Sequence, residues 1–154
     1  VMDFALEFHV GKHGVAYNGI SVFATSSTGA YTGNYVSDEP CLKRRIPEAL
    51  QGHLSDVCKN LQRHLQNVYS QGYSGPLGVD MMVVEYQGEK YIHPCVEVNL
   101  RQTMGNVCVS LRSQLRRGAA IYRLRPVGET TESTLVLTPY AKRIEAVLQT
   151  EEAE

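Results

Sequence analysis

No apolar run in the 154 residues is long enough to span a bilayer, and no signal-like apolar stretch opens the chain at Val1. Neither sign of charge prevails: 15 Lys+Arg stand against 16 Asp+Glu, for a formal net charge of -1. That balance leaves no electrostatic footprint for nucleic acid or for an anionic membrane. The four cysteines, Cys41, Cys58, Cys95 and Cys108, contain no C-x-x-C pair, so a zinc ribbon or thioredoxin-like motif is excluded. The histidines show no H-x-x-H or H-E-x-x-H spacing, which removes the common zinc sites. Ser110 and Cys108 have no acid–base set near them in the sequence, so nucleophilic catalysis has no support. Basic runs at Lys43-Arg44-Arg45 and along Arg112 to Arg125 read as solvated surface. What is present suits one domain over residues 1–154: hydrophobic residues are 43% and charged residues 20%. Cys58 and Cys108 fall on apolar helical faces as reduced cysteines would, which predicts a reducing compartment, the cytoplasm.

The patterning predicts strands over Phe4–Val10 and Val15–Ala24 with a turn at Gly11–Gly14, and a third strand over Tyr31–Val36 after a Gly/Ser/Thr-rich turn. Leu50, Leu54, Val57, Leu61, Leu65 and Val68 recur at spacings of three and four, predicting one helix over Pro47–Tyr69. Two strands follow, Gly78–Tyr86 and Lys90–Asn99, and then a helix over Asn106–Arg117. A short strand is expected over Thr134–Leu137. A last helix is expected after Thr138 and Pro139, with Ile144, Val147 and Leu148 on its apolar face. Strands, helix, hairpin and helix in this order predict an α+β domain: a mostly antiparallel sheet with packed helices.

The chemistry concentrates in the predicted hairpin. With Gly88-Glu89 as the turn, Asp80 falls opposite Glu97. Their Cβ atoms would then lie about 5 Å apart on one face. Asn99, two residues beyond Glu97, points the same way. Facing carboxylates repel, unless a cation sits between them or one is held neutral. Asp, Glu and Asn offer hard oxygen ligands suited to Mg²⁺ or Mn²⁺. Arg101, where the strand ends, has the fork geometry to clasp a phosphate. The same residues also suit exposed strand ends that bind nothing, and Pro94 within the second strand implies an edge or a bulge.

Asp80, followed by Glu97-Val-Asn99-Leu-Arg101, resembles the end of the ATP-grasp domain, as in D-alanine–D-alanine ligase and the biotin-carboxylase group. The resemblance covers about residues 4 to 117. It implies that Asp80, Glu97 and Asn99 ligate the divalent ions that bridge the ATP phosphates, and that Arg101 contacts phosphate or an acyl phosphate. It further implies that Glu7, in Leu6-Glu7-Phe8-His9-Val10, holds the ribose, and that Met82 helps floor the adenine. An ordinary strand glutamate and plain core packing remain the alternatives for these two. Gly78 departs from the family, several members of which carry Arg two residues before the metal Asp. The family's nucleotide lysines, glycine-rich loop and adenine hinge would precede Glu7. The chain is therefore read as the C-terminal subdomain of an ATP-grasp fold, inactive alone. The parent would be an ATP-dependent ligase joining a carboxylate substrate to an amine or thiol through an acyl phosphate. The other reading is a non-catalytic fragment or metal-independent interaction module, paired as a homodimer along an exposed sheet edge.

Overall fold

A computed structural model describes residues 2–114, 119–126, 134–135 and 144–150. Eight strands form one sheet: β1 (Met2–Gly11), β2 (Gly14–Thr25), β3 (Tyr31–Val36), β4 (Gly75–Tyr86), β5 (Glu89–Asn99), β6 (Ala120–Pro126), β7 (Thr134–Leu135) and β8 (Ile144–Thr150). Their order across the sheet is β5-β4-β1-β2-β3-β6-β8-β7. Each neighbouring pair is antiparallel. Four helices, α1 (Glu39–Arg44), α2 (Glu48–Gln51), α3 (Leu54–Tyr69) and α4 (Met104–Leu111), pack against it, so the expected α+β class with a mostly antiparallel sheet describes the architecture. Among the described residues no helix is long and apolar enough to cross a membrane.

Period-two alternation divides the sheet into two unlike faces. Phe4, Leu6, Phe8, Val10, Val79, Met81 and Val83 point to one side. There they bury against Leu42, Ile46, Leu50, Leu54 and Leu65 from the α1–α3 region. Phe8 is fully buried, and its ring meets Tyr17 edge-on at 5.7 Å between centroids. Asp3, Ala5, Glu7, Gly78, Asp80 and Met82 take the opposite face. Helix α4 covers part of it, with Cys108 and Leu111 against Val36, Ala120 and Tyr122. Burial pushes the Cys108 thiol up to about 12, so it stays protonated and inert.

Three expected elements differ from those observed. The stripe over Pro47–Tyr69 is broken at Gly52-His53 into α2 and α3, with the amides of Gly52 and His53 both turning back to the Leu50 carbonyl. A six-residue helix, α1, stands where Lys43-Arg44-Arg45 reads as basic surface. Asp38 caps it by accepting from the Cys41 amide at 2.7 Å, and Lys43 pairs with Glu39 at 2.7 Å. Residues Ile144–Thr150 form strand β8, not a helix, paired along the whole of β6. Seven residues with Ile144, Ala146 and Leu148 in alternation fit either period, and the open edge of β6 decides for the strand. The proposed cap residues Thr138 and Pro139, together with residues 115–117 of the expected second helix, lie outside the described residues.

Candidate metal and phosphate site

The β4–β5 hairpin brings Asp80 opposite Glu97, Val79 opposite Val98 and Gly78 opposite Asn99, but by a different route from the expected one. The turn is Gln87-Gly88, with φ of 54° and 79°. Positive φ at both central residues is the type I′ geometry that matches strand twist. Tyr86 therefore faces Glu89 and Met82 faces His93, a register two residues away from the one that aligns Asp80 with Glu97. The difference is absorbed between Asp80 and Met82, where Met81 stands against Pro94, Cys95 and Val96. Proline lacks an amide to donate, so a bulge in an edge strand is a place where it costs little. A shift of two preserves which face each side chain takes, so the carboxylates end up together.

Around this pair the polar atoms converge. Asn99 is 7% exposed; its Nδ2 donates to Asp80 Oδ2 at 3.0 Å, and its Oδ1 accepts from Arg101 Nη2 at 2.9 Å. The Arg101 amide donates to the Asn99 carbonyl at 3.0 Å, a tight turn that folds the guanidinium back over the strand end. Burial is the main cause that raises the Asp80 pKa, and the facing Glu97 adds to it. Asp3, which pairs with Met82 on the neighbouring strand, raises it a little further, while Asn99 and Arg101 pull it down. Met82 lies half-buried on the same face, between Asp3 and the exposed His93. A surface hollow of about 490 Å³, lined by Asp3, Phe23, Thr25, Tyr35 and Arg45 among others, does not include Met82, Asp80 or Glu97.

Glu7 lies on the same face but inside the protein, 1% exposed beneath the start of α4. Its carboxylate already accepts three side-chain hydrogen bonds: from Ser21 Oγ at 2.9 Å, Thr103 Oγ1 at 2.8 Å and Asn106 Nδ2 at 2.7 Å. As placed, it presents no open edge to a ribose. Burial raises its pKa to about 7 despite the hydroxyls of Thr103 and Ser21; Asp80 adds to the rise and Arg112 opposes it. The absent arginine at Gly78 also has a physical reason. A Cβ there would come within 2.8 Å of both Glu7 Oε2 and Thr103 Cγ2.

The residues around Glu7 were not signalled as a group by the sequence. Thr103-x-x-Asn106 is legible as a helix start, since Thr103 caps α4 by accepting from the Asn106 amide at 3.0 Å. Their contact with Glu7 spans more than ninety residues of chain, which no local pattern reports. Among the described residues, no three His, Cys, Asp or Glu side chains gather as a metal-binding group. The cluster here is two carboxylates, one amide and one guanidinium. It suits a cation that takes its remaining ligands from water or phosphate.

No family model matches the chain, and no curated protein matches it. Among solved structures, the chain is similar to a crystal structure from Archaeoglobus fulgidus provisionally assigned to the ATP-grasp superfamily, with a TM-score of 0.56 at 16% identity. The match covers 98% of this chain and 46% of that one, so the chain spans less than half the length of the structure it resembles. At that identity the likeness supports an ATP-grasp-like fold, as a distant match.

Proposed function

We propose that Asp80, Glu97 and Asn99 bind a divalent cation together with the phosphates of ATP, and that Arg101 receives a phosphate oxygen. On this reading the chain supplies the metal and phosphate half of an ATP-dependent carboxylate ligase. The observation that carries it is the Asp80–Glu97 pairing on one face, brought into line by the bulge, with Asn99 and Arg101 folded onto it. Two facing carboxylates repel one another, and a hard divalent ion is what such a pair of oxygen ligands offsets best. The residues fit Mg²⁺ or Mn²⁺: Asp80 and Glu97 offer charged oxygens, and the Asn99 amide oxygen, now held by Arg101, offers a neutral one. When bound, the ion would supply charge neutralisation for phosphoryl transfer from ATP to a carboxylate.

The chain's own residues do the rest. Asn99 Nδ2 orients the Asp80 carboxylate. Arg101, exposed at the strand end, exchanges its contact with Asn99 for a phosphate oxygen, a pairing its planar fork favours. Met82 offers a half-buried apolar contact to the nucleotide base on the same face. The acyl phosphate formed on the substrate is then open to an amine or thiol, with phosphate as the leaving group. A second reading, an interaction module paired through edge strand β5, draws support from exposed Tyr86, Tyr91 and Val96. The bulge around Pro94 works against it, because it interrupts the row of groups a partner strand would need.

Titration with Mn²⁺, with and without ATP, tests the proposal on wild type, Asp80→Asn and Glu97→Gln. Each variant should lose at least about tenfold in Mn²⁺ affinity, since second-shell changes alone cost that much in metal sites. Wild-type affinity in both variants overturns the reading.

A further inference from the structure

Glu7 is the one carboxylate buried in the interior of the protein's described part, and no step of the proposed function uses it. Its surroundings form a built arrangement. Four elements converge on it: its own strand β1, β2 through Ser21, β4 through Gly78, and the start of α4 through Thr103, Gly105 and Asn106. Asn106 is held on its other sides as well: Nδ2 reaches the Leu77 carbonyl at 3.4 Å, and Oδ1 accepts from Asn18 Nδ2 at 3.3 Å. Both nearby glycines make room for the carboxylate. A Cβ on Gly105 would collide with Glu7 and Ser21, and one on Gly78 would press on Glu7 and Thr103.

The register gives this arrangement its meaning. Glu7, Gly78 and Asn99 lie in one row across β1, β4 and β5. After Asn99 the chain turns at Leu100–Gln102 and comes back over Gly78, where Thr103 meets Glu7. The segment that carries Asn99 and Arg101 is thus pinned at its far end by the Glu7 carboxylate, a few residues beyond Arg101. An apolar side chain at position 7 would leave the buried Thr103 hydroxyl without its acceptor and take from the Asn106 amide the shortest of its hydrogen bonds. The usual response is for such a segment to shift until these donors find an acceptor.

We infer that Glu7 is a positioning residue that anchors the 99–106 segment and so sets Asn99 and Arg101 against Asp80 for binding of a metal-bound triphosphate. This rests on the metal reading given above, and it replaces a direct ribose contact for Glu7. Glu7→Gln keeps the anchor, because the amide oxygen can accept from Thr103 and Asn106 while its NH₂ donates to Ser21 Oγ. Glu7→Leu removes it at nearly constant volume.

Two measurements on the full chain decide the matter: amide hydrogen exchange, and titration with Mn²⁺ in the presence of ATP, with Asp80→Asn measured alongside. In Glu7→Leu the amides of Arg101, Asn106 and Val107 should exchange at least about tenfold faster while those of β1 and β2 hold. Mn²⁺ affinity should fall about tenfold, as for loss of a residue that orients a ligand. Glu7→Gln should stay within about threefold of wild type in both. Should Glu7→Leu fail to fold, Thr103→Val removes a donor from the opposite side, with Thr103→Ser as its conservative partner, and the same two readouts apply. Unchanged Mn²⁺ affinity in Glu7→Leu (or in Thr103→Val), while Asp80→Asn loses it, overturns the role of Glu7 and leaves the metal site standing. Unchanged affinity in Asp80→Asn removes the metal site and this inference with it.

Discussion

The two faces of the sheet are made by alternate residues of the same strands, yet they obey different rules. Phe4, Leu6 and Phe8 on β1 meet Leu77, Val79 and Met81 on β4 beneath the α1–α3 layer in an almost wholly apolar cluster. The interleaved residues of the same two strands include Asp3, Glu7 and Asp80, carboxylates where an apolar face would carry alanine or valine. Burial lifts the Asp80 and Glu7 pKa values on this second face. The contrast teaches that one face of the sheet carries the main apolar core, while the other carries a smaller apolar cluster beneath α4 beside carboxylates.

Breaking the apolar face should give the largest change. Phe8→Ala deletes a fully buried ring and its edge contact with Tyr17, and should cost about 3–5 kcal/mol of stability in chemical denaturation. A loss under about 1 kcal/mol would mean that this face is not the principal core.

The polar face should show itself next, through pH. Glu7 is raised from an ordinary value of 4.5 to about 7 in the folded protein. As pH rises from 4.5 to 7 the unfolded chain gives up this proton before the folded one does, so the native state binds more protons and its stability falls. The contribution is complete below pH 4.5 and lost above about 7, and amounts to about 3 kcal/mol. Melting curves of wild type and Glu7→Gln from pH 4.5 to 8 should converge at the acidic end and separate at the alkaline end, with the wild type the less stable there. Parallel curves would show that Glu7 does not titrate in that window.

The smallest effect lies in the turn. Gln87 is the non-glycine residue with positive φ, at 54°, among the described residues. Gln87→Asn installs the Asn-Gly pair that type I′ turns prefer and should raise stability by about 0.5 kcal/mol, without moving Asp80 or Glu97. A drop in stability would argue that the turn has another geometry.

How much of this was legible in the sequence follows from the range of each interaction. Alternation in β1, β2 and β4 and the stripe of α3 are local signals, and the strands and helix they announce are present. The pairing of Asp80 with Glu97 was legible although the assumed turn was one residue off and its register therefore two, because the bulge at Pro94 restored the alignment. The break at Gly52-His53 was hidden by a stripe that continues in phase on both sides, and β8 by a segment too short for its period to decide. The Glu7 cluster was beyond reach, since Glu7, Ser21, Gly78, Thr103 and Asn106 become neighbours only once the sheet has formed.

The central claim is that Glu97 is a metal ligand on a face built for ligand binding. Glu97→Gln tests it most directly, by thermal melts and, on the proposed ligase reading, by ATP turnover with and without Mg²⁺. The substitution removes the charge opposite Asp80 and nearly keeps the shape. Apo stability should therefore hold or rise slightly, while Mg²⁺-dependent turnover falls at least about a hundredfold, as when one electrostatic stabiliser is removed. Full Mg²⁺-dependent turnover in the mutant would contradict the account.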